Sequence, residues 1–174
     1  MIDYDLLFRV CMFADETAEK RVIVSEIFGD SQRENTKLTI GIEFYDKIVE
    51  FKEKFIKLYF WDISFQDRFK KLLHHYLYSA DGILLIYDVS NNETLNSLRT
   101  LIEEIKEEIK EGTPILLVGN KSDLDENREV SEEQLEKFKI DYDISLAMEI
   151  SAKTGENVEE MFLKITDMIF ENYD

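Results

Sequence analysis

Residues 114–124 read PILLVGNKSDL, a short apolar run that ends abruptly in Asn120, Lys121, any residue and Asp123. Four branched or apolar residues followed by a polar cluster describe a fully buried strand that delivers its last side chains to the edge of a sheet. By average composition such an Asn-Lys-x-Asp tetrad arises by chance in about one chain in fifty of this size. The C-terminal end of a parallel strand is where open α/β sheets bind ligands. A carboxylate there has two acceptor oxygens, which suit Asp123 to the adjacent N1 and N2 donors of guanine, a pair that adenine lacks. The stem of Lys121 can lie along the plane of a base.

The rest of the chain supplies the sheet that this strand requires. Apolar runs alternate with helical patterns: Leu6 to Phe13 and a helix opening near Lys20, Ile83 to Tyr87 and Glu93 to Lys110, Ile115 to Val118 and Glu132 to Phe138, Leu146 to Ile150 and Asn157 to Asn172. That order predicts a parallel sheet covered on both faces. Two consecutive β-rich segments, LTIGIEFYDKIVEF and FKEKFIKLYFWD, interrupt it and predict a hairpin with an antiparallel edge strand. The fold class is therefore α/β, a six-stranded mostly parallel sheet with about five helices, in one domain spanning residues 1–174. Val158, Met161, Phe162, Ile165 and Ile169 recur at helical spacing in the last helix, and IEEIKEEIKEG predicts a solvated helix ended by Gly112.

One strand after the tetrad comes MEISAKTGENVEEMF, where Ser151, Ala152 and Lys153 follow the strand LAMEI. Backbone amides at that turn can reach the guanine oxygen, and Lys153 can flank the ring. Upstream lies KLYFWDISFQDRFKKLL. In these three stretches the chain resembles the small GTPases of the Ras superfamily, most closely the Rab branch, and the likeness extends over essentially its whole length. The resemblance rests on Trp61, Asp62, Gln66, Asp67, Arg68 and Phe69, on TIGIEF at 39–44, on HYLYSADGILLIYDVSNNETL and on the ungapped spacing of Lys20, Thr39 and Asp62. It implies a guanine-nucleotide fold that binds GTP or GDP and has two switch segments, around 30–44 and 62–78, that meet effector or regulatory proteins. It further implies that Thr39 binds Mg²⁺, that Asp62 is a metal-linked acid and that Gln66 orients the attacking water.

The phosphate loop departs from the family pattern. Where the family has Gly-x-x-x-x-Gly-Lys and then Ser or Thr, this chain has Ala14, Asp15, Glu16, Thr17, Ala18, Glu19, Lys20 and Arg21. Glycines permit backbone conformations and close phosphate approach that a side chain resists. Forcing that geometry on Glu19 costs on the order of 1 to 3 kcal/mol. A carboxylate about 4 Å from a phosphate charge adds roughly 4 kcal/mol of repulsion at an effective dielectric of about 20. Arg21 replaces the hydroxyl that binds Mg²⁺, and a guanidinium cannot ligate a cation. Lys20 and Arg21 at a helix start nevertheless suit a metal-free diphosphate contact. Phe65 stands where the family has the glycine that meets the third phosphate, and the six glycines, at 29, 41, 82, 112, 119 and 155, all lie outside the phosphate motifs.

Three readings follow. In the first, favoured by these departures, the protein binds GTP or GDP weakly, hydrolyses GTP slowly or not at all, and works through its switch surface. In the second it is an active GTP-hydrolysing switch whose phosphate site is rebuilt on Lys20 and Arg21. In the third it is a nucleotide-free interaction scaffold that keeps NKSD and SAK for their structural hydrogen bonds.

Composition narrows the partners. Thirty-eight acids against 21 bases give a net charge of −17, which repels nucleic acid and anionic lipid. The single cysteine, Cys11, lies in an apolar run and predicts a buried inert thiol without a disulfide framework. No apolar run reaches the roughly 18 residues of a membrane span, and IFENYD offers no cysteine for prenylation, so the expectation is a cytoplasmic protein with neither direct membrane insertion nor a lipid anchor. His74 and His75 are adjacent on a helix and face different directions, which argues against a metal site there, and DLDENREVSEEQLE lacks the spacing of a calcium loop.

Overall fold

The computed structural model describes residues 3–14, 19–29, 41–63, 70–121, 123 and 125–173, with backbone only at 19–22, 70–72 and 125. Six strands, β1 (Leu6–Ala14), β2 (Ile42–Phe51), β3 (Lys54–Ile63), β4 (Gly82–Asp88), β5 (Ile115–Asn120) and β6 (Leu146–Ile150), form one sheet in the order β2-β3-β1-β4-β5-β6. β1 pairs in parallel with β3 and β4, and β4, β5 and β6 continue in parallel. Among the described strands only β2 runs antiparallel, against β3. The expected mixed sheet and its antiparallel edge are both present.

Alternation of side chains along β1 divides the core. Phe8, Val10 and Met12 face a cluster with Ile23, Val24, Ile27 and Phe28 of α1 (Glu19–Phe28) and with Met161, Phe162, Ile165 and Ile169 of α5 (Val158–Glu171). Cys11 and Phe13 face the other side, among Leu73 and Leu77 of α2 (Lys70–Ser79), Leu95, Leu98, Leu101 and Ile102 of α3 (Asn92–Ile105), and Phe138 of α4 (Glu132–Asp141). Each of these large side chains contributes about 1.5 to 3 kcal/mol by leaving water. Burial pushes the Cys11 thiol far above its ordinary pKa, as the buried-thiol reading expects. No described helix is long and apolar enough to cross a membrane.

Because β1 is followed by a helix on one face and its neighbour β4 by a helix on the other, the chain reverses its winding between them. The crevice outside their carboxyl ends is the ligand position of a doubly wound sheet. Glycine is required close to that crevice: a Cβ on Gly119 would lie 2.6 Å from the Tyr87 hydroxyl oxygen and 2.8 Å from its Cζ.

β5 ends at Asn120, as the reading of a buried strand ending in the tetrad expects, so the tetrad's asparagine belongs to the sheet itself. One detail differs from the sequence reading. The helix expected from Glu93 to Lys110, with Gly112 as its end, stops at Ile105; a 3₁₀ turn covers Lys106–Glu108 and Ile109 is extended at φ −79° and ψ 130°. Ile109 packs on the core shared by α2, α3 and α4, and the chain must turn back to Pro114, whose carbonyl accepts from the Ile83 amide at 2.9 Å. A straight helix would carry it past the sheet, so packing overrides the local spacing of acids and lysines.

Candidate functional site

Parallel pairing brings the carboxyl ends of β1, β3, β4, β5 and β6 to one edge. In register, Met12 lies beside Asp62, Ala14 beside Ile86, Asp88 beside Asn120, and Asn120 beside Ile150. The candidate residues at Asp62, Asn120 and Ser151 thus line one rim although they are up to 89 positions apart in the sequence.

The two turns after β5 and β6 are tied to each other. Asn120, only 2% exposed, accepts the Ala152 amide on its Oδ1 at 2.9 Å. The Ser151 hydroxyl donates to Oδ1 of Asp123 at 2.8 Å and accepts from the Thr154 amide at 3.2 Å. Gly155, at φ +83°, closes this second turn through its amide to the Ser151 carbonyl at 2.8 Å. Ser151 and Ala152 are buried, whereas Lys153 is exposed. One hydroxyl therefore fixes the carboxylate of the first turn and the backbone of the second.

Lys121 turns differently. Its backbone takes φ +72°, and its Nζ donates to Oδ2 of Asp88 at 2.5 Å. Asp88 ends the all-buried strand β4 and is 6% exposed. Its Oδ1 accepts from the Ser90 amide at 2.9 Å and from the Ser90 hydroxyl at 2.6 Å, and its own amide donates to Thr94 Oγ1 at 2.9 Å. Burial pushes the Asp88 carboxyl up, but the hydrogen bonds from Lys121 and Ser90 and the lysine's charge outweigh it, holding the carboxyl below its ordinary pKa. Behind this group, Arg128 forms a two-point ion pair with Glu149 at 2.6 and 2.8 Å, joining the segment after Asp123 to β6. Tyr87 stands close by; burial and the Glu149 charge raise its pKa against the opposing charge of Arg128.

The sequence reading did not assign Asp88, Ser90, Thr94 or the Arg128–Glu149 pair. Its available signal was the acid that closes GILLIYD, one strand over from the tetrad and directly before a Ser and Thr-bearing turn. On the phosphate side, Lys20 and Arg21 fall in the first turn of α1, directly beyond the end of β1 across residues 15–18. Residues 15–18, Thr39, Phe65 and Gln66 lie outside the described residues, as does most of the first switch segment and 64–69 of the second. Asp62 is buried, 6% exposed, near the end of β3. His74 and His75 are both exposed on α2, and His74 Nδ1 contacts Glu108.

A sequence model described as Ras family matches residues 9–171, nearly the whole chain and every rim residue above. The chain belongs to the Ras family. Its relatives place it on the Rab side. It is 34% identical over 161 residues to the Ras-related protein Rab-4A of Danio rerio, covering 92% of this chain and 75% of the relative. It is 35% identical over 162 residues to human Ras-related protein Rab-8B, covering 93% and 78%, and 36% identical over 169 residues to the Ras-related protein RABD2a of Arabidopsis thaliana, covering 97% and 83%. This Ras family member is a Rab-like small GTPase, of a family that binds GTP and acts on effector proteins through its switch segments.

Proposed function

We propose that this Rab-like protein binds GTP or GDP weakly, hydrolyses GTP slowly or not at all, and acts in the cytoplasm by presenting its switch segments to protein partners. The observation that carries the reading is Arg21, directly after Lys20 in the first turn of α1, where the family has a hydroxyl residue. Mg²⁺ requires near-octahedral oxygen ligands. Arg21 offers none, so the donor set does not fit the metal in the family's manner, whatever Thr39 and Asp62 contribute. Glu19 and Phe65, in place of two glycines, weaken the approach to phosphate further.

The base side has its parts. Asp123 would pair with guanine N1 and N2, Lys121 and Lys153 would flank the ring, and the amides around Ser151 and Ala152 would meet its oxygen. Lys20 and Arg21 would contact a diphosphate through their charges. Phosphoryl transfer in this fold rests on positioning and on charge stabilisation at the third phosphate. Gln66 alone supplies little of either.

The test combines two measurements on the purified protein. It is first denatured and the released nucleotide chromatographed; melting curves are then recorded with GDP, GTP and ATP, with and without Mg²⁺. Ligand at about 100 times its Kd adds about 2.7 kcal/mol, a visible rise in Tm. The expected outcome is a rise with guanine nucleotides alone that ignores Mg²⁺. A Mg²⁺-dependent rise, together with a single-turnover GTP hydrolysis rate equal to that of ordinary Rab proteins, would sink the proposal in favour of an active switch. No rise at any concentration would leave the nucleotide-free scaffold.

A further inference from the structure

The proposed base site contains one group with no assigned task, the buried carboxylate at the end of β4. We infer that Asp88 is a positioning residue for guanine-nucleotide binding: it holds the Lys121 side chain at the rim where that lysine flanks the base. The inference rests on the nucleotide-binding reading above.

Geometry carries it. Asp88 and Asn120 are register partners across β4 and β5, and Lys121 follows Asn120 directly. A lysine at φ +72° is in a conformation that side chains resist, so something must hold it. The Val89 amide fixes the turn by donating to the Asn120 carbonyl at 3.1 Å, and Asp88 Oδ2 takes the ammonium at 2.5 Å. The carboxylate in turn cannot swing away, because both the amide and the hydroxyl of Ser90 hold its other oxygen. A buried ion pair is weak evidence for stability as such, since desolvation offsets the attraction. Its effect here is directional: the lysine's long stem, free to take many rotamers at an ordinary surface, is tied at its far end. The stem and not the ammonium is thereby offered to a flat ligand. Binding then requires no ordering of that side chain, which is the usual gain from preorganisation.

A purely structural Asp88, serving only the Ser90 turn, predicts something different. Asp88→Asn keeps an acceptor for Ser90 and removes the charge that holds Lys121. GDP affinity is measured by titration for wild type, Asp88→Asn, Lys121→Ala and the double variant. The expected result is a loss of about tenfold on Asp88→Asn in the wild-type background and less than about twofold in the Lys121→Ala background, the signature of two residues acting as one. Equal losses in both backgrounds, or no loss in either, would overturn the inference while leaving the nucleotide-binding reading standing. A wild-type protein that binds no guanine nucleotide overturns both. If Asp88→Asn does not fold, the unaltered protein decides: its Lys121 ammonium protons, followed by NMR, should exchange more slowly than those of surface lysines, with and without GDP. Exchange at the surface rate would refute the tether.

Discussion

Asp88 gives up its water at the end of β4 and regains three hydrogen bonds, from Lys121 and twice from Ser90. Those contacts hold its folded pKa below the ordinary carboxylate value of about 3.9. The unfolded chain therefore takes up the proton more readily than the folded one. The stabilisation is fully present above the unfolded value and is lost as pH falls through the lower, folded one. Chemical denaturation of wild type and Asp88→Asn across a pH series should show wild type more stable near neutrality, with the difference shrinking below about pH 4. A gap that stays constant into the acid range would show that Asp88 does not titrate as an ion-paired carboxylate. Asn120, by contrast, is a neutral group whose bond from the Ala152 amide carries no such slope.

At the scale of elements, the β2–β3 hairpin turns through Lys52 and Glu53, both in the left-handed region at φ 49° and φ 61°. Two consecutive residues of that kind make the tight turn that matches strand twist, and asparagine or glycine normally fill it. Lys52 has compensation from the Phe51 and Phe170 rings, each 4.9 Å from its ammonium, and from Asp167 at 3.6 Å. Glu53 is exposed. Glu53→Gly should raise stability by up to about 1 kcal/mol by removing the left-handed penalty, read as a higher urea midpoint at unchanged slope. A lower midpoint would mean that the flexibility gained by the unfolded chain outweighs the relief.

The hairpin was legible because its two segments are rich in β-branched and aromatic residues, yet its turn carries no turn residue to mark it. Strands β1, β4, β5 and β6 were legible as largely apolar runs, and so their ends could be placed only to within a residue or two. Asn120, Lys121, Asp123 and Ser151 stood out as a motif. Asp88 did not, since an acid that ends a strand looks the same from sequence whether it caps a turn or receives a lysine from the next strand. Ile109 was misplaced because nothing local distinguishes a helix face from a segment that folds back onto the core.

Across the whole molecule, a net charge of −17 on 174 residues repels itself more strongly in the compact state than in the expanded chain. The first turn of α4 holds Glu132 and Glu133, and the turn after α3 holds Glu107 and Glu108. Raising NaCl from about 10 mM to about 300 mM shortens the screening length from about 30 Å to under 8 Å and should raise Tm by a few degrees. A Tm that falls with salt would place the dominant electrostatic contribution in the ion pairs, such as Arg128 with Glu149, and not in the general repulsion.

The hydrogen bonds from Ala152 to Asn120 and from Ser151 to Asp123, at 2.9 and 2.8 Å, brace the two turns against each other. In kinetic terms, contacts of the protein's own set the spacing of the two turns, so association of a base should run at an ordinary rate of about 10⁵ to 10⁷ M⁻¹s⁻¹. An eroded phosphate grip would then appear almost wholly as a short residence time. Stopped-flow measurements with a fluorescent GDP analogue would read both rates. Such a protein would track the ratio of GTP to GDP around it by spontaneous exchange, with no catalyst needed to release the spent nucleotide.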